Sequence, residues 1–441
     1  MVTSIPSISL LLGAFFVAAI VIAFVKKVNI GVLGLAFAVL LGLLTDLKWK
    51  DLPGAFPTTV VLTIFSVTLF FGFFAENGTI QYLANKFLWK FRNTPKLIPF
   101  AFYLLGILLA ALGGCDMVVF TAAVAFPVGK SIGMKGQHVG VCAMLGSMAG
   151  SFLPWSLHGS TAKAIIETMN DGKWAHVANT ISWGTFFSAF AIYLVIILIY
   201  YFVFKGHKLS GQAEMEEPAA ATPIQKKSLV IILGAFFLIV VVPVLTKMIG
   251  GSFLTTINRF SSVAPVCIVG AVVNMLMNIG DDKAVLKKRI PWNTLAMLWG
   301  MGILLGLGAT LGVNKYLGEL AEHIPTGMVL VSFLLIAGGL SLFSSSLSVV
   351  YPLLLPIAGV VAPNLGLNPV AIMAAIIIGS ATTAMSPLST AGGLLLSSCP
   401  DEVYDNSMMF NNMFIMAVIT MALLAVAGAV GMIGLWGTLH L

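Results

Sequence analysis

Residues 5–25 form an apolar run with no charged side chain, and thirteen further apolar runs follow it along the 441-residue chain. Several approach the ~20 residues that cross a bilayer as a helix. Charged residues make up only 9% of the chain, against about a quarter in a soluble domain. A water-facing surface cannot be built from that supply. No run shows the in-and-out alternation of an outer-membrane barrel strand. The expected fold class is an all-α polytopic membrane protein.

The runs fall at 5–25, 28–44, 58–75, 97–112, 117–128, 139–169 and 178–204. A polar stretch at 205–227, rich in Ala, Pro, Glu and Lys, reads as a linker. The order then returns at 228–248, 257–279, 294–311, 328–342, 347–361, 369–398 and 408–435. Short motifs recur with it. Gly72 and Tyr82 are matched by Gly306 and Tyr316, an offset of 306−72 = 234, and Pro154 and Ser156 by Pro387 and Ser389, an offset of 387−154 = 233. Two separated motifs at nearly one offset indicate a duplication.

Within each half, two short runs are joined by a tight turn of small residues, at 113–116 and 343–346. Their second arms are short for a full crossing, so each pair is expected to be a re-entrant hairpin. Each half then has five transmembrane helices plus one hairpin, and an odd number of crossings inverts the second half. Sixteen of the 23 Lys and Arg, at 26–27, 86–96, 130–135, 205–208, 226–227 and 283–289, fall on one side of that scheme. The positive-inside rule makes that side cytoplasmic and places both termini outside. The expected organisation is an N-terminal repeat over 1–204 whose hairpin opens to the cytoplasm, a cytoplasmic linker over 205–227, and an inverted repeat over 228–441 whose hairpin opens outside.

The net charge of +7 is spread over these short loops, a topology signal that implies no nucleic-acid partner. Cys115, Cys142, Cys267 and Cys399 lie in or beside apolar runs with no CxxC spacing, which argues against a disulfide framework or zinc site. The opening Met-Val-Thr-Ser lacks the basic region of a cleaved signal, so the first run is expected to be retained.

Four interruptions carry the chemistry: the turn at 113–116, the break SFLPWSLHGST at 151–161, the turn at 341–348 and the break SPLST at 386–390. Pro154 and Pro387 interrupt the helical ladder. The half-helices beyond them expose N–H groups that bind carboxylates without Arg or Lys. Freed carbonyls and hydroxyls suit a hard cation. The substrate-binding candidates are Ser156, His158, Ser160, Thr161, Ser345, Ser346, Ser389 and Thr390. The cation-binding candidates are Gly114, Cys115, Asp116, Ser344 and Ser386. Any single hydroxyl is more often bonded to its own helix, so the expectation rests on the four breaks together.

Asp116 is the only acid placed at membrane depth. It ligates a cation, carries a proton or pairs with His158 or Lys163, against the plainer reading of a hydrated tip in a cytoplasmic vestibule. His158 is a partner for a substrate carboxylate or for a backbone group. Lys163 is expected to snorkel outward. Glu76 and Asn77 are expected only to face the interface, and 82–96 to lie along it as an amphipathic helix.

The blocks VNIGVLGLAFAVLLG, GFFAENGTIQYLA, GGCD and SPLSTAGGLLL resemble the ion-transporter superfamily, and more closely the dicarboxylate carriers of the MatC (malonate carrier) type, over essentially the whole chain. The sequence is more distantly similar to the divalent-anion:sodium symporters. The resemblance implies an elevator-type mechanism, in which a transport domain slides against a dimeric scaffold, hence a homodimer in a bacterial-type inner membrane. Where those symporters carry Ser-Asn-Thr motifs, this chain has Gly114-Cys115-Asp116 and Ser-Leu-His-Gly-Ser, which leaves coupling ion and substrate open.

The expected function is secondary active transport of a small dicarboxylate of the malonate or C4 class, coupled to Na+ or H+, with no other cofactor. Against ~100 mV, inside negative, a dianion entering alone faces roughly 4.6 kcal/mol, so accumulation requires cations or exchange. The alternative is a transporter of this fold for another anion, or a cation/proton exchanger, which several buried acids would favour. No HExxH is present, and GGCD departs from the GxGD of aspartyl proteases, so an enzyme is not expected.

Overall fold

The computed structural model describes residues 4–433 except 27, 212, 314–315, 317–318, 320–324, 343–345, 388 and 401–402. The described secondary structure is helical throughout. The first half consists of α1 (Ile5–Lys26), α2 (Ile30–Leu44), α3 (Thr58–Glu76), α4 (Thr79–Trp89), α5 (Ile98–Gly113), α6 (Val118–Ser131), α7 (Gly136–Ser151), α8 (Leu157–Thr168) and α9 (Ala178–Val203). The second has α10 (Pro223–Phe236), continued through a π-helical turn to Ile249, then α11 (Val263–Leu276) and α12 (Trp292–Thr310). It ends with α13 (Thr326–Ser341), α14 (Tyr351–Asn364), α15 (Pro369–Thr382), α16 (Thr390–Ser397) and α17 (Asn406–Ala429). Among the described residues, nine helices are long and apolar enough to cross a membrane, or ten if the bent pair Ser252–Asn258 and Val263–Leu276 is one span.

Within the apolar run at 257–279 the long helix begins only at Val263, and it meets the preceding helix Ser252–Asn258 at 84°. Arg259 and the hydroxyls of Ser261 and Ser262 break the apolar continuity, and Ser262 takes an extended backbone (φ −73°, ψ 160°) before α11 starts.

Burial sorts the helices into shells. Nearly every residue of α7 and every residue of α15 after Pro369 is buried, so these two helices form the centre. Helices α1 and α10 instead expose Leu10, Val17, Val230 and Leu233, apolar side chains suited to lipid. Lipid tails are as apolar as leucine, so helices associate here through close packing of small residues rather than through the hydrophobic effect. Helix α2 packs on α12, where a Cβ on Gly300 would lie 1.6 Å from the Gly31 carbonyl oxygen. Helix α5 packs on α7 at Gly106 and Gly146, and α13 packs on α15 at Gly338 and Gly379.

The helix order recurs at the offset of the motifs. Helix α12 starts and ends 234 residues after α3 (292−58 and 310−76). The pairings cross between the halves: α2 packs on α12, and α11, which follows α2 at 263−30 = 233, packs on α3. Most buried hydroxyls bond a carbonyl of their own helix, as Thr63 does to Thr59 and Thr185 to Ile181. Tyrosines link the halves instead, with Tyr193 Oη 3.0 Å from Thr382 Oγ1 and Tyr200 Oη 3.1 Å from Thr420 Oγ1.

Glu76 and Asn77 do more than face the interface. Asn77 Nδ2 donates to Ser228 Oγ at 2.8 Å and to the Ile279 carbonyl at 3.0 Å, while its Oδ1 accepts from Thr79 N. Glu76 accepts from Arg289 at 3.0 Å. A polar pair at a helix end finds partners across the chain because unpaired groups there are costly. Helix α4 does carry an amphipathic face with its cations over rings, Lys86 above Tyr82. All four cysteines are buried free thiols.

Candidate functional site

The two breaks have the same local geometry. Helix α7 stops at Ser151 and α8 restarts after Ser156, whose backbone is extended (φ −83°, ψ 168°). Past α15 a short 3-10 turn, Thr383–Met385, precedes the restart of α16 after Ser389, again extended (φ −83°, ψ 159°). The caps differ. Ser389 Oγ accepts from Gly392 N at 3.0 Å and lies 2.6 Å from the Ala384 carbonyl, so the second break caps itself. Ser156 Oγ donates to the Ala110 carbonyl on α5 at 2.5 Å, so the first break is tied to the neighbouring helix.

The first tip is held just as closely. Gly114 sits at φ +86°, where a Cβ would meet Leu157 Cβ at 2.6 Å, so only glycine lets the tip touch the start of α8. Cys115 Sγ lies 3.6 Å from Asp116 Oδ1. At the second turn, Ser341 Oγ is 2.9 Å from Ser346 Oγ, which also donates to the Ser380 carbonyl at 3.1 Å.

All four interruptions meet at one cavity of about 60 Å³. Cys115 and Asp116 line it from the first tip, and Leu157 and His158 from the start of α8. Ser341 and Ser346 come from the second turn, and Ser389 and Thr390 from the start of α16. The first turns of two half-helices thus face one space, and each helix N-terminus carries roughly half a positive charge. An anion placed there gains two dipoles without a formal cation. The volume is well below the ~300 Å³ at which typical ligand pockets begin.

Not every candidate reaches this wall. Ser156, Ser160, Thr161, Gly114 and Ser386 are near it in sequence but do not line it. Ser160 Oγ is 3.3 Å from the Leu157 carbonyl, and the Ser386 carbonyl accepts from Ser389 N. Ser344 and Ser345 lie outside the described residues. Thr161 Oγ1 and His158 Nδ1 are buried with no hydrogen-bond partner among the described residues. Such a group costs about 1–3 kcal/mol unless something satisfies it. Lys163 is partly exposed and lies 3.7 Å from Glu167 rather than near Asp116.

Sequence reasoning missed Thr294 and Met148, which also line the cavity. Thr294 lies in the first turn of α12, after Pro291. The usable signal was Pro57 before α3 and Pro291 before α12, at 291−57 = 234.

Two of the larger cavities have related walls. One, of about 270 Å³, shares Asp116 and Pro291 with it and reaches Lys288 and Arg289. The other, of about 490 Å³, shares no lining residue with it and contains no charged side chain among the described residues. Their walls are equivalent: Phe71, Gly72 and Ala75 on α3 line the first, and Leu305, Gly306 and Ala309 on α12 line the second, each pair at the offset of 234.

A helical bundle whose paired helix breaks meet at one cavity has the architecture of a membrane transporter. Residues 5–151, a third of the chain, match the family model described as the dicarboxylate carrier protein MatC N-terminus. The chain superposes on the Alcanivorax borkumensis YdaH transporter with a TM-score of 0.62 at 16% identity, covering 96% of this chain and 98% of that one. It also superposes on Neisseria gonorrhoeae MtrF, from a class of antimetabolite efflux pumps, with a TM-score of 0.55 at 16% identity over 88% of this chain and 82% of that one. These likenesses are to carriers and transporters, not enzymes, and at such identity the structural ones establish the fold. No curated protein sequence matches the chain.

Proposed function

We propose that the protein is a secondary active transporter of small organic dicarboxylates of the malonate or C4 class, coupled to Na+ or H+. The observation that carries this reading is the convergence of two half-helix N-termini, α8 and α16, on one cavity. That arrangement selects anions while leaving no fixed cation to trap them. The match of residues 5–151 to the dicarboxylate carrier model supports the dicarboxylate class. Asp116, on the same wall, supplies a carboxylate for a coupling cation or proton.

The crossed pairing of α2 with α12 and α11 with α3, and the equivalent walls of these larger cavities, support two inverted repeats working by alternating access. In this reading the larger cavities are the two vestibules. The conformation described here is nearer to opening on the Lys/Arg-rich face, since only that vestibule shares residues with the site. Sliding of the hairpins and broken helices against a dimeric scaffold would complete an elevator cycle in a bacterial inner membrane, with both termini outside. A cation/proton exchanger would call for several acids in the core, and Asp116 is the one acid among the described lining residues.

The test is uptake by proteoliposomes of labelled malonate, succinate, malate and citrate, with sodium and proton gradients imposed separately. Accumulation of at least one dicarboxylate under one gradient is expected. Failure to accumulate any carboxylate under either gradient overturns the reading.

A further inference from the structure

The two vestibules share a framework but differ in charge among their described residues. At the offset of 234, Arg289 on one wall is matched by Ala55 on the other, and Lys288 has Gly54 as its counterpart in the sequence. The vestibule lined by Ala55 is uncharged among its described residues.

Arg289 is built into the charged vestibule. Its Nε and Nη2 both lie 3.0 Å from the same oxygen of Glu76, at the end of α3. Its Cβ lies where only glycine leaves room, since a methyl group on Gly72 would come within 2.9 Å of it. The guanidinium is 6.0 Å from the Phe120 ring on α6. The side chain is 35% exposed, so it is fixed in place and still open to the vestibule. A guanidinium has five N–H donors in a planar fork that matches a carboxylate, and Glu76 uses only two of them.

Position adds the second half of the argument. The vestibule that Arg289 lines ends inward at Asp116 and Pro291, which are also walls of the central cavity. A dianion moving between solution and the half-helix N-termini on this side passes Arg289 first and a carboxylate second.

We propose that Arg289 is an anion-docking residue, forming a subsite for one carboxylate of a dicarboxylate on the Lys/Arg-rich face of the transporter. The inference rests on the transport reading above and adds a residue and a side to it. A cationic cleft raises the local anion concentration and the encounter rate. Glu76 holds the guanidinium in place and weakens its grip, so that the anion leaves for the central cavity rather than staying. Among the described residues the opposite vestibule has no such station, so the effect is expected on one face.

The test measures the dicarboxylate KM from each face separately, using right-side-out and inside-out vesicles of the full-length protein. Arg289→Gln is expected to raise KM from the Lys/Arg-rich face about tenfold, as loss of a charge-assisted hydrogen bond does, and to leave KM from the other face within about twofold. Glu76→Gln is expected to lower KM on the Lys/Arg-rich face, because the guanidinium is no longer neutralised. Salt on that face is expected to raise KM for the wild type more than for Arg289→Gln. Opposite signs for the two variants separate docking from scaffolding, since a purely structural ion pair loses by either change. Raised KM on both faces for both variants overturns the proposal, and so does an unchanged KM in Arg289→Gln. If Arg289→Gln does not reach the membrane, the double variant Glu76→Gln/Arg289→Gln leaves no charge unpaired and takes its place. A KM for that double variant equal to Glu76→Gln alone overturns docking. If the wild type carries no dicarboxylate at all, the transport reading itself fails and docking falls with it. Transport with face-independent variants removes docking only.

Discussion

Gly159 and Gly392 occupy the same place in two half-helices, and each lies against the carbonyls of the break before it. A Cβ on Gly159 would come 2.1 Å from the Leu153 oxygen, and one on Gly392 would come 2.0 Å from the Ser386 oxygen. They are separated by 392−159 = 233, the offset of the breaks themselves. Both stand three residues after the serine that precedes the half-helix, Ser156 and Ser389. Glycine there lets the new helix start beneath the end of the old one, which is how both N-termini are brought to the central cavity.

Gly159→Ala and Gly392→Ala are therefore expected to displace the half-helices and abolish most uptake, at a cost of about 1–3 kcal/mol in stability. Gly234→Ala, where nothing lies within 4 Å, is the reference substitution. Uptake together with thermal unfolding in detergent makes the comparison. If the first two variants behave like the third, the tucked geometry of the breaks is wrong.

Ser389 is expected to tolerate little. Its hydroxyl caps Gly392 N and contacts two carbonyls of the break. Ser389→Ala should lose about 1 kcal/mol as a missing N-cap does, and part of the transport rate. Ser389→Trp should fill the cavity and stop uptake while the protein still inserts, as judged by membrane fractionation. Full transport by Ser389→Trp would place the substrate path elsewhere.

Orientation is tested at the linker. Ala220, exposed between the halves, replaced by cysteine should react with a membrane-impermeant maleimide only from the cytoplasmic side, because the linker shares the Lys/Arg-rich face. The four native cysteines are buried and give little background. Labelling in intact cells from outside would invert the topology.

Asp116 lies where the central cavity and the basic-face vestibule share a wall. If it ligates a cation, Asp116→Asn keeps one oxygen ligand, lowers the apparent sodium affinity and leaves the pH profile in place. If it carries a proton, the amide cannot release one, so exchange continues while uptake no longer responds to a pH gradient. Counterflow and gradient-driven uptake at several sodium concentrations and pH values separate the two. Wild-type behaviour throughout would make Asp116 a hydrated tip residue.

The sequence by itself determined the membrane class, because a chain with 9% charged residues has no surface to offer water. It also located the four interruptions, because proline and clustered small polar residues stop an apolar helix wherever they fall. What it did not reveal depends on which side chain faces which neighbour. Ser156, equivalent to Ser389 in the sequence, spends its hydroxyl on Ala110 of another helix, whereas Ser389 caps its own. Thr294 carries no local mark of function and lines the cavity only because α12 begins there. Arg289 looked like one more loop cation until α3 brought Glu76 to it from 213 residues away. Local composition fixes where a helix must stop, since each residue pays for its own exposure to lipid. Only packing decides which stopped ends meet, because contacts between distant helices depend on the shapes of both.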